Sequence, residues 1–240
     1  TSLTDVTGVQ TCALPISEIK LPAGFKYRLN FGPDYQDGRN GAFNGSLGAR
    51  LGAVPTASSS MFNQFHYTLD NLIYYDKTFK EKHRFGATLL HSMEEYKYES
   101  LNGGVNGLPY EYQKWYNLGT ATSITALGSS FSRWALNSYM ARINYSFMDK
   151  YLFTATGRYD GSSRLAEGKK YTFFPSAAIS WRITNEPFME NVKVLDDLKI
   201  RIGYGETGNT SISPYETLGS LSRTTYATGD AGFFGYAPNL

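Results

Sequence analysis

The 240 residues contain a single cysteine, Cys12, and three histidines, His66, His83 and His91. An internal disulfide framework is excluded, and no Cys/His spacing suits zinc. Charged residues amount to 18%, the net charge is +2 and neither sign forms a block. The basic footprint of a nucleic-acid binder is therefore missing. No run of 18 apolar residues occurs and mean hydropathy is −0.36, so no helix is apolar enough to cross a bilayer. That test does not reach barrels, whose strands alternate between an oily and a wet side.

Catalytic patterns are missing too. No G-x-S-x-G elbow exists, and the histidines sit in no motif. Among the acid pairs, Glu94 and Glu95 are neighbours on a predicted strand and point to opposite faces. Glu186/Glu190 and Asp196/Asp197 fall in or beside a connector. The reading expects no enzyme, no cofactor and no metal.

Gly203-x-Gly205-x-x-Gly208 in "IRIGYGETGN" has dinucleotide-fingerprint spacing, and Asp230 lies about where a ribose-binding acid would. The fingerprint needs a helix after the glycines to carry the pyrophosphate. "TSISPYETLGSLSRTTYATGD" has β-branched residues, Pro214 and no helical recurrence. Gly203 and Gly205 are read instead as polar-face strand positions that leave the backbone bare where another element approaches, and Gly208 as a turn residue.

What the chain has in quantity is aromatic residues, 15% with 19 Tyr and 15 Phe, and 24 Gly, a strand-and-turn profile. Period-2 alternation predicts strands at 25–31, 62–75, 83–98, 173–183 and 198–204. The clearest hairpin is "WALNSYMARINYSFMDKYLFTATGRYDG". Tyr139, Ala141, Ile143, Tyr145 and Phe147 share a face with Tyr151, Phe153, Ala155 and Tyr159, while Arg142, Asn144, Thr154, Thr156, Arg158 and Asp160 lie opposite. Ala177, Ile179, Trp181, Ile200, Ile202 and Tyr204 extend the apolar face. Connections at 32–60, 99–133 and 160–172 read as long loops. Those at 76–82, 148–150 and 184–197 read as shorter, the last partly helical through Phe188, Val192 and Leu195. Residues 1–17 lack any such pattern and read as a non-native leader, like a translated sequencing adapter, without a signal-peptide n-region.

A soluble glycan-binding β-sandwich also has one apolar face per strand. Loop asymmetry, strands of about ten residues and aromatics beside the MDK turn favour a transmembrane β-barrel. The girdle on that oily face comprises Tyr145, Phe147, Tyr151, Phe153, Trp181 and Tyr204.

The elements "NYSFMDKYLFTATGRYDGSSR", "FPSAAISWRI" and "LKIRIGYGETGN" occur in the order and spacing of the SusC/RagA family of TonB-dependent outer-membrane transporters, which this chain resembles. A weaker likeness extends back through "YTLDNLIYYDKTF". The resemblance implies an all-β antiparallel meander over 18–240, about seven readable strands of a 22-strand barrel in the Bacteroidota outer membrane. It implies import of oligosaccharides or peptides driven by the TonB complex, with a SusD-like surface lipoprotein as lid. Plug domain, TonB box, closing strand and signal peptide are expected outside this stretch. A passive porin-like barrel is the other membrane alternative. In the lumen or loops, Arg158, Asp160, Arg164, Arg182 and Arg201 are candidates for polar networks facing plug or substrate. Tyr110, Tyr112, Trp115 and Tyr116 are candidates for stacking on cargo.

Overall fold

The computed structural model describes residues 2–47, 53–190, 194–210, 212–228 and 231–238. Among these residues eleven strands run in chain order: β1 (Ser2–Cys12), β2 (Ile16–Lys20), β3 (Phe25–Asn44), β4 (Thr56–Phe79), β5 (His83–Asn106), β6 (Ser123–Phe147), β7 (Tyr151–Ser162), β8 (Tyr171–Arg182), β9 (Lys199–Gly205), β10 (Leu221–Thr228) and β11 (Ala231–Pro238). The first nine form one sheet ordered β1-β3-β4-β5-β6-β7-β8-β9, with β2 also on β3, while β10 and β11 form a separate hairpin. Sequential neighbours pair throughout β3 to β9, the mark of a meander.

Register follows the alternation. On β6 and β7, Tyr139 faces Tyr159, Ile143 faces Ala155 and Tyr145 faces Phe153, while Arg142 faces Thr156 and Asn144 faces Thr154. The same parity carries across β8 and β9, where Phe153 meets Ile179 and Ile179 meets Ile202. Because side chains alternate with period 2, a slip of one residue would have turned every one of these pairs to the other face.

The strands outrun their predicted ends. β3 continues to Asn44 and β4 begins at Thr56, so the predicted 32–60 loop shrinks to 45–55, and the 99–133 loop shrinks to 107–122. Ladder hydrogen bonds hold these Gly-, Ser- and Asn-rich stretches extended although their side chains carry no strong pattern. Burial adds to this at Phe43, Ala57 and Val105, which pack with Leu108 and Trp115 into a small apolar cluster.

The connections after β4 and β6, three residues each, share one construction. Lys80 and Glu81, like Met148 and Asp149, have positive φ (48°, 57°, 54° and 53°), and the next N–H donates back, Lys82 to Phe79 and Lys150 to Phe147. That is type I′ geometry, whose twist suits a hairpin. The connector after β8 is helical in part, as predicted, but among the described residues it has no α-helical turn. It forms two 3-10 turns, Ile183–Asn185 and Pro187–Met189, in place of an α-helical turn; Pro187 has no N–H to donate to a helix. Phe188 and Leu195 are exposed and do not form a packed helical stripe. Val192 lies outside the described residues. At 183–198 the connector is also longer than the 163–170 loop, so the length asymmetry holds only for the earlier connections.

The predicted leader carries β1, paired with β3 from Ser2–Asn44 to Cys12–Asp34. All eleven β1 side chains are exposed, so the segment joins through its backbone ladder and long side-chain hydrogen bonds from Thr7 and Gln10, and buries no side chain.

By Cα packing the chain divides into two units, one of residues 1–22, 26–73 and 92–133, the other of 23–25, 74–91 and 134–240. The first holds the apolar cluster, the second the hairpins from β6 onward.

Candidate functional site

Within the second unit the strands present two unlike surfaces. The apolar one is bare: Ile143, Phe153, Ile179 and Ile202 are 44, 40, 63 and 75% exposed, and Trp181 and Ile200 are 37 and 49%. A β-sandwich would have buried them between layers. Among the described residues no second layer covers them.

The opposite surface carries a ladder of polar pairs. Arg142 Nε donates to Thr156 Oγ1 at 3.1 Å and Thr154 Oγ1 donates to Asn144 Oδ1 at 3.1 Å. Arg201 lies on this surface, lining a shallow groove with Arg142, Thr156 and Ser176. Gly203 and Gly205 sit opposite Ala178 and Ser176. A Cβ on either would lie 3.2 or 3.0 Å from its partner's Cβ. The approaching element is thus the neighbouring strand. Gly208 is packed under the Phe174 ring in an irregular segment, not in a turn, and no helix follows it among the described residues. Asp230 lies outside them. The fingerprint spacing has no phosphate-binding context.

The five polar candidates do not form one cluster. Arg158 Nε donates to both carboxylate oxygens of Asp160 at 2.7 Å, and its Nη2 reaches Ser138 Oγ at 3.4 Å. This pair lines a cavity with Leu136, Lys169, Phe174 and Thr210. Arg164 stacks on the Trp134 ring, Cζ 4.0 Å from the centroid, and donates to the Thr210 carbonyl. Arg182 is at the far end of β8, 3.6 Å from Asp197 of the connector, so it belongs to the turn side and not with the loops.

The four loop aromatics, all in the first unit, separate in the same way. Tyr110, Tyr112 and Tyr116 are 59, 81 and 65% exposed, whereas Trp115 is 5% exposed. Its indole occupies the space a Cβ on Gly41 would need. Trp115 is therefore the anchor of the loop, with no free face for cargo, which corrects its reading as a stacking candidate in favour of packing among the loops. A second anchor is Glu111, which accepts the Ser46 N–H at 2.8 Å. Hydrogen bonding from Ser46 holds its carboxyl below the usual range. The Arg39 guanidinium lies 5.4 Å from the Tyr116 ring.

Sequence reasoning passed over Glu186, treating it as one more connector acid. It is buried, and accepts hydrogen bonds from Tyr151 OH at 2.8 Å, Trp181 Nε1 at 3.0 Å and Lys150 Nζ at 3.0 Å. These donors, Trp181 first, then Tyr151 and Lys150, hold its pKa below the ordinary carboxylate range. Two members of the predicted girdle are thus tied by their polar tips to one carboxylate. The signal was Lys150, which ends the MDK turn, and Tyr151 after it, visible only once the 183–198 connector has folded back.

A long antiparallel meander, bare and apolar on one side and polar on the other, defines a wall segment of a membrane β-barrel. The profile of the family described as "TonB dependent receptor-like, beta-barrel" matches residues 17–240. The chain belongs to this family. It is 33% identical over 198 residues to TonB-dependent receptor P26 of Formosa agariphila, covering 81% of this chain and 20% of that protein. It is 48% identical over 81 residues to TonB-dependent receptor SusC of Bacteroides thetaiotaomicron, 34% of this chain and 8% of that one. The fold superposes on a chain in the structure of the RagAB peptide transporter with a TM-score of 0.86 at 20% identity, over 98% of this chain and 26% of the other. The chain therefore spans about a fifth of the length of the curated relatives it matches.

Proposed function

We propose that this chain is part of the barrel wall of an outer-membrane importer of oligosaccharides or peptides, energised through the TonB complex and working with a SusD-like surface lipoprotein. The observation that carries the reading is the bare apolar face of Ile143, Phe153, Ile179 and Ile202, backed on the same strands by the ladder of Arg142, Asn144, Thr154 and Thr156. One side suits lipid and the other a hydrated path. Arg158, Asp160 and Arg201 would line that path. Arg164 would brace the 163–170 loop. Tyr110, Tyr112 and Tyr116 would meet cargo or lid. Residues 1–17, whose first strand buries no side chain, would be foreign to the natural protein.

The test is growth of a strain carrying the complete gene, with and without it, on single oligosaccharide and peptide sources, each repeated in a TonB-deficient background. A cargo that supports growth only when gene and TonB are both present upholds the reading. Growth that depends on the gene and ignores TonB would replace the importer with a passive pore.

A further inference from the structure

We infer that residues 206–210, the far half of the glycine motif, form a fixed bar across the polar face of β6 to β9, with Arg164 as its positioning residue, and that this bar limits the girth of cargo. The inference deepens the proposed importer reading and rests on it.

The bar starts where β9 ends. Glu206 N–H still donates to the Pro175 carbonyl at 3.0 Å, as a ladder residue would, and its carboxylate accepts from Tyr204 OH at 2.8 Å. Then the chain leaves the sheet. A Cβ on Gly208 would collide with the Phe174 ring, so glycine lets the backbone cross closely over β8. Phe174 shares its parity with Ser176 and therefore stands on the polar face. By Thr210 the chain has reached Arg164, whose Nη1 donates to the Thr210 carbonyl at 3.4 Å while its guanidinium lies on the Trp134 ring of β6. Farther on, Thr217 Oγ1 donates to the Arg164 carbonyl at 3.3 Å, a second tie to the same residue.

Between its two ends the bar stands off the wall. A cavity of about 390 Å³ separates them, lined by Ser138, Arg158 and Asp160 from the wall and by Gly208, Asn209 and Thr210 from the bar. Ser138 faces Asp160 in the register that pairs Arg142 with Thr156, so these wall residues belong to the polar surface of β6 and β7. The bar thus lies on the face that the importer reading turns toward cargo.

Its dimensions make it an obstacle. From β9 to β6 is three interstrand spacings, about 14 Å, and chain stacked on a sheet face takes about 10 Å from the space beside it. The stretch that follows is stiff. Ile212 N–H donates to the Thr210 carbonyl at 2.8 Å, and Ser213 N–H to the Glu216 carboxylate at 2.6 Å, so the chain closes in tight turns. An unbranched oligosaccharide or an extended peptide passes such a bar end-on, whereas a branched or cyclised chain meets it broadside. The glycine motif then has a use without phosphate: Gly203 and Gly205 admit the neighbouring strand, and Gly208 admits the crossing.

The test uses the full-length receptor, freed of other cysteines, with Asn209→Cys carrying a nitroxide, in lipid nanodiscs. The parent should give an immobilised spectrum. Arg164→Ala and, separately, Gly208→Val should release the label, while Arg164→Lys, which can still donate to Thr210, should keep much of the restraint. Variants are compared as folded barrels, judged by heat-modifiable migration. Each oligosaccharide or peptide that passes the growth test above is then paired with a branched or backbone-cyclised form of the same composition, and uptake of both labelled forms by cells is measured. Released variants should raise the uptake of the bulky form relative to the slender one by about tenfold, the change expected when a hydrogen bond and a cation–π contact are lost together. A label as mobile in the parent as in Arg164→Ala would overturn the bar. A released label with an unchanged uptake ratio would overturn its filtering role. If no source passes the growth test, the importer reading is what fails, and the spectra still judge the bar.

Discussion

Glu186 owes its low pKa to three donors, so its contribution to stability has a definite sign. The folded-state value lies below the ordinary value of 4.5. The contribution is fully present above the mid-4 range and is lost as pH falls through the folded value. Thermal unfolding of the receptor in detergent between pH 7 and pH 3 should show this loss, and Glu186→Gln should lower the melting temperature at pH 7 while flattening the acid limb. Trp115 makes the complementary case among apolar residues. As the center of a cluster with Phe43, Ala57, Val105 and Leu108, its replacement by Ala should cost about 3–5 kcal/mol of local stability. Tyr112→Ala, at 81% exposure, should stay within about 0.5 kcal/mol. Protease cleavage within 107–122 reads both: rapid for the tryptophan variant, unchanged for the tyrosine one.

The two type I′ turns are the elements where backbone cost is concentrated. Met148 holds φ at 54° without the tolerance of Gly or Asn. Met148→Gly should be neutral or stabilising by up to about 1 kcal/mol, whereas Asp149→Pro, forced to φ near −65°, should disrupt the hairpin. Heat-modifiable migration of the folded barrel on gels separates the two outcomes. Of the strands, those with strict alternation were legible in their faces: Ile143, Phe153, Ile179 and Ile202, read onto one face, pair there with Ala155, Tyr145 and one another on β6 to β9. β10 and β11, at the poorly patterned end, were not foreseen. Their eight-residue register, Leu221–Pro238 to Thr228–Ala231, is a local hairpin whose Gly-rich sequence gives little periodic signal.

For the whole molecule, the asymmetry between faces predicts an asymmetry in mutational cost. Ile179→Arg, in the middle of the apolar face, should cost about 2–4 kcal/mol in a lipid-bound unfolding assay, while Asn144→Arg, exposed on the polar ladder, should be tolerated. Equal penalties would contradict a lipid-covered face. Removing residues 1–15 should leave the melting temperature nearly unchanged, since β1 contributes backbone pairing and no buried side chain.

What the sequence determined by itself was the class of wall: an alternation of period 2 admits only two side-chain faces, and aromatic content with little charge makes one of them oily. From that, and from three motif stretches, the antiparallel meander and its family followed. Tertiary structure alone decided that Trp115 anchors its loop while its three tyrosine neighbours stay outside, because burial depends on which strand ends the loop folds against. It also decided that Glu186 joins Tyr151 to Trp181 and that Arg164 meets Thr210. Those contacts connect residues far apart in the chain, and only the paired register of separate strands brings them within hydrogen-bonding reach.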